Sequence, residues 1–509
     1  MVTSTADNCL GSECDDWDKC FIVNARKKAQ AADVVVINHH LLLADMTLKN
    51  EGFAELLPEA DAFIIDEAHQ IYDVAARFFG NTVSSRQLIS LARDTIAEQI
   101  NDAADMSELR DYAEELEKAA RDFRLSLGES GVRDGWLKIQ NKKSVQQSLD
   151  VLLVALNDLL VVLEAAAERS RGIEQCFERG HKIMARLKSF QAEHADTGAE
   201  QEGNPAVLWY ETYTKSFMLH ATPIDVAAIF QQHTDNFSKA WLFTSATLQV
   251  NKKFDHFSQN IGLENYTSGV WESPFNYEKQ SLLYLPENLP QPSEQSYTKQ
   301  LMQAAVPVLK ASEGRAFVLF TSYYAMNQAR DYLKQMLPYE LLVQGDLPKH
   351  QLLDKFRQTD NAILLGTSSF WEGVDVRGKD LSCVIIDKLP FAPPGDPVMQ
   401  ARIDAIKRGG GNAFVDFQIP QAVIALKQGV GRLIRDVNDY GVVMIGDPRI
   451  KQKSYGRIFL NSLPTMPVTS DVNDVASFYR HVSSMDVADD LSNASSGASS
   501  ETSENLQSA

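Results

Sequence analysis

The chain has 509 residues, 44% hydrophobic and 23% charged, the make-up of an ordinary globular protein of three or four domains at about 100–200 residues each. No run approaches the ~18 uncharged apolar residues of a membrane span, and the most apolar stretch, 151–163, is cut by Asn157 and Asp158. The formal net charge of −19 argues against a nucleic-acid partner. The charge is uneven, however: residues 301–460 hold 20 Lys and Arg against 16 Asp and Glu, and the rest carries −23.

Residues 1–9 (MVTSTADNC) have neither the basic nor the apolar region of a signal peptide. Five cysteines are too few for a disulfide scaffold. A cytoplasmic protein with no membrane partner is expected. The runs 34–37 (VVVI) and 63–65 (FII) are predicted as buried strands. From about 86 to 199 the pattern turns helical. Leu149, Leu152, Leu156, Leu160 and Leu163 recur at three- and four-residue spacings, which places them on one helix face. Residues 91–125 are predicted as a second, heavily charged helical stretch, and the block reads as an all-α insertion. Strands are predicted at 240–244, 316–320, 363–365, 384–386 and 441–445, with helices such as 296–310 and 325–336 between them. Such alternation specifies a parallel α/β sheet. Seven of the last 19 residues are Ser, without an aromatic, the composition of a disordered tail.

The tetrapeptide Asp66-Glu67-Ala68-His69 follows the second strand directly. Two acids at the carboxyl edge of an open α/β sheet lie where ligands bind. There Asp66 could hold Mg²⁺ through water and Glu67 could orient or deprotonate an attacking water. The plain alternative is a solvated acidic strand end. Residues 428–435 read QGVGRLIR. On a helix, Arg432 and Arg435 would share a face, and Gly431 would admit a close neighbour. Paired guanidiniums suit the charge of a γ-phosphate in transfer; a solvated basic helix is the alternative. Residues 242–248 (LFTSATL) put Ser245, Ala246 and Thr247 after a strand, where small hydroxyls can bridge the acids to a second surface. Residues 363–375 (ILLGTSSFWEGVD) end a strand in Thr367 and Ser368, followed by Phe370, Trp371, Gly373 and Asp375. Hydroxyls beside aromatics suit phosphate contact and base stacking, although Phe370 and Trp371 could equally be core.

The ordered set DEAH, SAT, FTSY (320–323), GTSSFWEGVD and QGVGRLIR resembles superfamily 2 helicases. The markers NHHLLLAD (38–45), LHATPIDV (219–226) and DKLPFAPPGDP (387–397) make the chain similar to the XPD/DinG iron–sulfur group, above all its bacterial YoaA-like branch. The resemblance covers about residues 9–463. It implies ATP-dependent, 5′→3′ DNA unwinding in repair or replication, with single-stranded or forked DNA as partner. Asp66, Glu67, His69, Arg432 and Arg435 would be catalytic, and Gln428, Gly373 and Asp375 would bind the nucleotide. Ser245, Thr247, Thr321, Ser322, Thr367, Ser368, Phe370 and Trp371 would contact DNA or couple it to hydrolysis.

Cys9, Cys14 and Cys20 have the spacing C-x4-C-x5-C, which in a reducing compartment suggests a metal or cluster site. Zinc is the generic reading; the resemblance implies a [4Fe-4S] cluster, with one ligand missing from this chain. Cys176 and Cys383 are expected to be packing residues. No G-x-x-x-x-G-K-[ST] phosphate loop occurs anywhere in the sequence. Both missing parts would precede residue 1, so the resemblance implies a motor domain lacking its first part and a chain inactive as an ATPase by itself.

The expected architecture is α/β, with two RecA-like parallel-sheet domains. The first, at 26–84 and 206–280, would be incomplete and the second would span 281–465. A partial cluster region at 1–25, an all-α arch-like insertion at 85–205 and a tail at 466–509 complete it. ATP would lie between the motor domains.

Overall fold

The structure, a computed structural model, describes residues 9, 14–50, 57–191, 199–201, 204–235, 240–371, 376, 378–393 and 395–482. Gly373, Asp375 and the Ser-rich tail lie outside the described residues. The chain divides into two compact units. The first is Met1–Ala246, Phe257–Asn265 and Ala392–Phe414; the second is Thr247–His256, Tyr266–Phe391 and Val415–Ala509.

In the first unit, helices α1 (Phe21–Gln30) and α2 (His39–Asn50) lead into strand β1 (Ala62–Ile65) and helix α3 (Ile71–Phe78). Strand β2 (Asn81–Ser84) opens the helical block of α4 (Ser85–Asp102), α5 (Glu108–Ser126), β3 (Arg133–Gly135), α6 (Lys143–Ala166) and α7 (Arg171–Lys188). Strands β4 (Ala199–Gln201), β5 (Asn204–Thr212) and β6 (Phe217–Pro223) follow, then helix α8 (Ala227–Asp235) and strand β7 (Ala240–Phe243).

Ser84 and Gln87 form a capping box that satisfies the first backbone donors of α4. The five leucines of the predicted face, Leu149, Leu152, Leu156, Leu160 and Leu163, lie in α6 and are all buried, each contributing about 1.5–3 kcal/mol. The charged stretch 91–125 is two helices, not one. The chain turns after Ala103, whose carbonyl accepts from Met106 N at 2.9 Å. Nor is the block purely helical. β5 and β6 form an antiparallel pair, with Trp209 opposite His220, flanked by β2 and β3. Alternate residues of that pair, Leu208, Tyr210, Phe217, Leu219 and Ala221, join the core of the helices. This is the period-two face that a sheet must bury.

β1 and β7 pair in parallel, Ile65 opposite Phe243. The run 34–37 is not a strand: Val34 and Val36 are 81% and 93% exposed, because β-branched residues favour extended backbone but a strand also needs a ladder partner. The helix Pro397–Arg408, expected with the second domain, counts with this first unit. Asp396 before it pairs with Arg133 at 3.0 Å. The buried Arg402 lies 4.4 Å over the Tyr72 ring and 3.3 Å from Asp73 on α3.

The second unit runs β8 (Ser281–Tyr284), α9 (Tyr297–Ala311), β9 (Ala316–Leu319), α10 (Tyr323–Met336), β10 (Leu341–Val343), α11 (Lys349–Gln358), β11 (Ile363–Gly366), β12 (Cys383–Ile386), α12 (Ile419–Val430), β13 (Gly441–Ile445) and β14 (Val468–Thr469). Its sheet has the order β10-β11-β9-β12-β13-β8-β14, and every pairing is parallel. Strands β8, β9, β11, β12 and β13 are buried at every residue, as helices on both faces require. Phe317, Leu319, Val384 and Ile386 feed one core; Val318, Leu365, Cys383 and Ile385 feed the other. Cys176 and Cys383 are both buried, and burial pushes the Cys383 thiol up to about 12.

At the carboxyl edge of this sheet Asp387 follows β12 and is wholly buried. Its carboxylate accepts from Thr321 N (3.0 Å), Thr321 Oγ1 (3.3 Å) and Lys388 N (2.6 Å), so it pins the loop after β9. Burial still pushes the carboxyl up to about 7, against the pull of Lys388 and these donors. A carboxyl held at ~7 when folded and ~3.9 when unfolded binds more protons in the native state between those values. Stability from this group therefore falls as pH rises from about 4 to about 7 and changes no further above that. In urea unfolding across this range, the wild-type advantage over Asp387→Asn should narrow with rising pH and then level off. A difference that is flat from pH 4 to 7 would show that Asp387 is ionised throughout.

Candidate functional site

β1 and β7 end together. Thr244 N donates to Ile65 O and Ala68 N to Thr244 O, both at 2.9 Å, so the DEAH and SAT sequences leave the sheet side by side. Glu67 sits in the left-handed region (φ 48°, ψ 44°), a conformation costing roughly 1–2 kcal/mol for a residue with a Cβ. Ser245 Oγ donates to Glu67 Oε2 at 3.2 Å and lies 2.9 Å from His69 Nδ1. A hydroxyl has one proton, so Ser245, donating to Glu67, must accept from His69; this assigns the Nδ1–H tautomer. The His69 side chain is 4% exposed and the Glu67 side chain 52%, a buried anchor holding an open carboxylate. Asp66 is exposed, with Oδ1 accepting from Thr244 Oγ1 at 3.2 Å and its carbonyl 3.0 Å from His39 Nε2. Sequence reasoning missed Thr244 and His39; their signal was adjacency to the SAT and NHH motifs.

In the second unit α12 ends at Val430, so Arg432 and Arg435 do not share a helix face. After Gly431 the chain tightens into a turn, Arg432 N to Gly429 O and Leu433 N to Val430 O. The close approach is at Gly429, where a Cβ would stand 3.0 Å from the Trp371 ring. Gln428 donates to Thr247 Oγ1 at 2.8 Å and accepts from Arg432 Nη2 at 3.2 Å, while Arg432 Nε donates to Trp371 O at 2.9 Å. Lys427 Nζ donates to Gln249 O at 3.3 Å, and burial pulls its pKa down. The backbone of Arg435 is fixed by its N–H donating to Asp439 Oδ2 at 2.7 Å.

The residues expected to meet DNA fall into three groups. Thr321 is held by Asp387, and Ser322 caps α10, its Oγ accepting from Ala325 N at 3.2 Å. Thr367 is held by Gln344, whose Oε1 accepts from Thr367 N at 2.6 Å and from its Oγ1 at 3.0 Å. Ser368 begins a short helix, Ser368–Trp371. Phe370 and Trp371 are 1% and 4% exposed, so the core alternative holds and neither ring offers a stacking face. Gly366 makes this possible: a Cβ there would meet the Phe370 ring at 2.9 Å.

Cys14 and Cys20 bracket a single turn, Trp17–Lys19, with Trp17 N donating to Cys14 O and Cys20 N to Trp17 O. Three thiols are a suitable donor set for an iron–sulfur cluster or zinc. Among the described residues, however, no three His, Cys, Asp or Glu side chains converge as metal ligands. The arrangement does not fit a bound cluster, and no step is derived through one. No helix among the described residues is long and apolar enough to cross a membrane.

Residues 305–466 match the helicase C-terminal domain family. Over 482 residues the chain is 43% identical to the ATP-dependent DNA helicase YoaA of Haemophilus influenzae, spanning 94% of this chain and 74% of that protein. Against YoaA of Escherichia coli it is 44% identical over 472 residues, 93% of this chain and 73% of the relative. The helicase DinG of Photobacterium profundum is 29% identical over 487 residues, 87% of this chain and 70% of the relative. Among solved structures, Xpd4 of S. tokodaii superposes with a TM-score of 0.52 at 14% identity, covering 85% of this chain and 81% of that one. That likeness concerns the fold: parallel-sheet RecA-like domains accompanied by many helices. With the DEAH and QGVGRLIR motifs in place, the chain belongs to the YoaA/DinG family of ATP-dependent DNA helicases.

Proposed function

We propose that this protein hydrolyses ATP to drive 5′→3′ movement along single-stranded DNA, opening forked duplexes in repair or replication. The observation that carries the reading is the Glu67–Ser245–His69 hydrogen-bond chain at a strand's carboxyl edge. A buried His69 fixes Ser245, and Ser245 fixes a carboxylate that is half open to solvent. Such a carboxylate is suited to orient a water for attack on the γ-phosphate. Asp66 would hold Mg²⁺ through water, and the ion would offset charge on the phosphate oxygens. Arg435 supplies the guanidinium for charge developing in transfer, while Arg432 is tied to Gln428 and Trp371 and shapes the turn that carries it. Gln428, Gly373 and Asp375 belong to nucleotide binding. Ser245 and Thr247 couple the nucleotide to DNA, Thr321, Ser322, Thr367 and Ser368 line the DNA edge, and the helical block from α4 to α7 guides the strand. A cytoplasmic location completes the reading.

A second reading, a DNA-binding chain without ATPase activity, is favoured by one observation: these 509 residues contain no G-x-x-x-x-G-K-[ST] loop, whose backbone N–H groups would cradle phosphate. ATP hydrolysis by this chain with single-stranded DNA present decides between the two. Turnover supports the motor, and DNA binding without turnover supports the second reading.

In a hydrolysing form, Glu67→Gln should lower turnover by about 10²–10⁴-fold, the span of general-base catalysis, with oligonucleotide affinity unchanged in an anisotropy titration. Arg435→Ala should lower kcat far more than nucleotide affinity, because its contact matters most in the transition state. Equal losses in both would make Arg435 a ground-state binder.

A further inference from the structure

Thr321 and Thr367, two of the residues expected to contact DNA or couple it to hydrolysis, have their donors committed inside the protein. Both the N–H and the hydroxyl of Thr321 go to Asp387, and both those of Thr367 go to Gln344. A phosphodiester oxygen only accepts hydrogen bonds, so this edge needs another donor.

The Gln344 amide identifies one. A backbone N–H can only donate, so Thr367 N, at 2.6 Å, requires the amide oxygen to face Thr367. The amide NH₂ must then face the other way, where it donates to the Tyr323 phenol oxygen at 2.6 Å. That phenol oxygen is therefore an acceptor toward Gln344, and its single proton points away from Gln344. Tyr323 is the first residue of α10 and 56% exposed.

We propose that Tyr323 donates a hydrogen bond to a phosphodiester oxygen of single-stranded DNA, and that Gln344 is the positioning residue that turns the phenol proton outward. The inference rests on the reading of this protein as one that binds single-stranded DNA. It goes further in assigning the contact to the tyrosine that ends the FTSY run and in giving a positioning role to an amide outside the motifs. The strength of the contact follows from charge assistance: a neutral donor meeting an anionic oxygen makes a bond worth about tenfold or more in affinity.

The test is a double-mutant cycle on the 509-residue chain, with binding of a labelled oligothymidylate of about 20 nucleotides read by anisotropy. Tyr323→Phe should weaken binding about tenfold without lowering the melting temperature, since the lost hydroxyl is at the surface. Gln344→Glu keeps acceptors for Thr367 but has no N–H, so the phenol turns its proton inward to the carboxylate. Its cost should be about tenfold larger with Tyr323 present than in the Tyr323→Phe background. Repulsion between the new carboxylate and DNA appears in both backgrounds and cancels. Tyr323→Phe binding within twofold of wild type, or Gln344→Glu costing the same in both backgrounds, would overturn the assignment. Failure of the wild-type chain to bind the oligonucleotide at all would instead overturn the DNA-binding reading beneath it.

Discussion

A parallel sheet covered on both faces leaves polar chemistry one place to go. In the second unit β9, β11, β12 and β13 have every residue buried, and each is paired with a strand on both sides. A polar side chain within those strands would cost several kcal/mol without a partner. The functional groups therefore collect where the strands end: Thr321 after β9, Thr367 after β11, Asp387 after β12 and Asp447 after β13. The first unit repeats this on a smaller scale, with Asp66 and Glu67 after β1 and Thr244 and Ser245 after β7. The site is where the ladder stops.

Groups at that edge are still largely buried, which forces each to find a partner. Asp447 is fully buried, and its two oxygens accept from Leu389 N (2.9 Å) and from the Arg449 backbone and guanidinium, the closest contact being 2.6 Å. Asp387 spends its oxygens on Thr321 and Lys388. Gln344 divides its amide between Thr367 and Tyr323. Each side chain joins one strand end to the next, so the edge is a laced rim rather than a set of independent loops. Low dielectric makes such links strong and a broken one costly. This rigidity is what a site needs if donors are to meet a phosphate at a fixed spacing.

Much of this was legible in the sequence because the governing patterns are local. Runs such as FVL at 317–319 and CVII at 383–386 are strand-like in any context, and the leucine spacing in α6 has one solution. What failed depended on partners distant in the chain. The VVVI run at 34–37 has strand propensity, but pairing decides a strand. Phe370 and Trp371 look like a stacking platform, but Gly366 and Gly429 leave room for their rings inside. Arg432 and Arg435 obey helix spacing, but α12 ends at Val430, before either of them. The β5–β6 pair was invisible for another reason: aromatic and polar residues alternate weakly in 204–223, and its apolar face is defined only by the helices it covers. Gln344 carried no signal at all, since a lone glutamine after a short strand acquires meaning only through Thr367 and Tyr323.

The SAT sequence brings these constraints to one point. Ser245 donates to Glu67 and accepts from His69, all within the first unit. Two residues later Thr247 takes its hydrogen bond from Gln428, within the second. The division between the units falls at the Ala246–Thr247 peptide. Small side chains are needed there, because a longer hydroxyl-bearing residue at 245 would overshoot a carboxylate 3.2 Å away. Glu67 adds a second constraint, since its left-handed backbone persists only while neighbours hold it. Ser245 and the Ala68–Thr244 bond are two of those holds, and both belong to the strand end from which the chain crosses to Thr247.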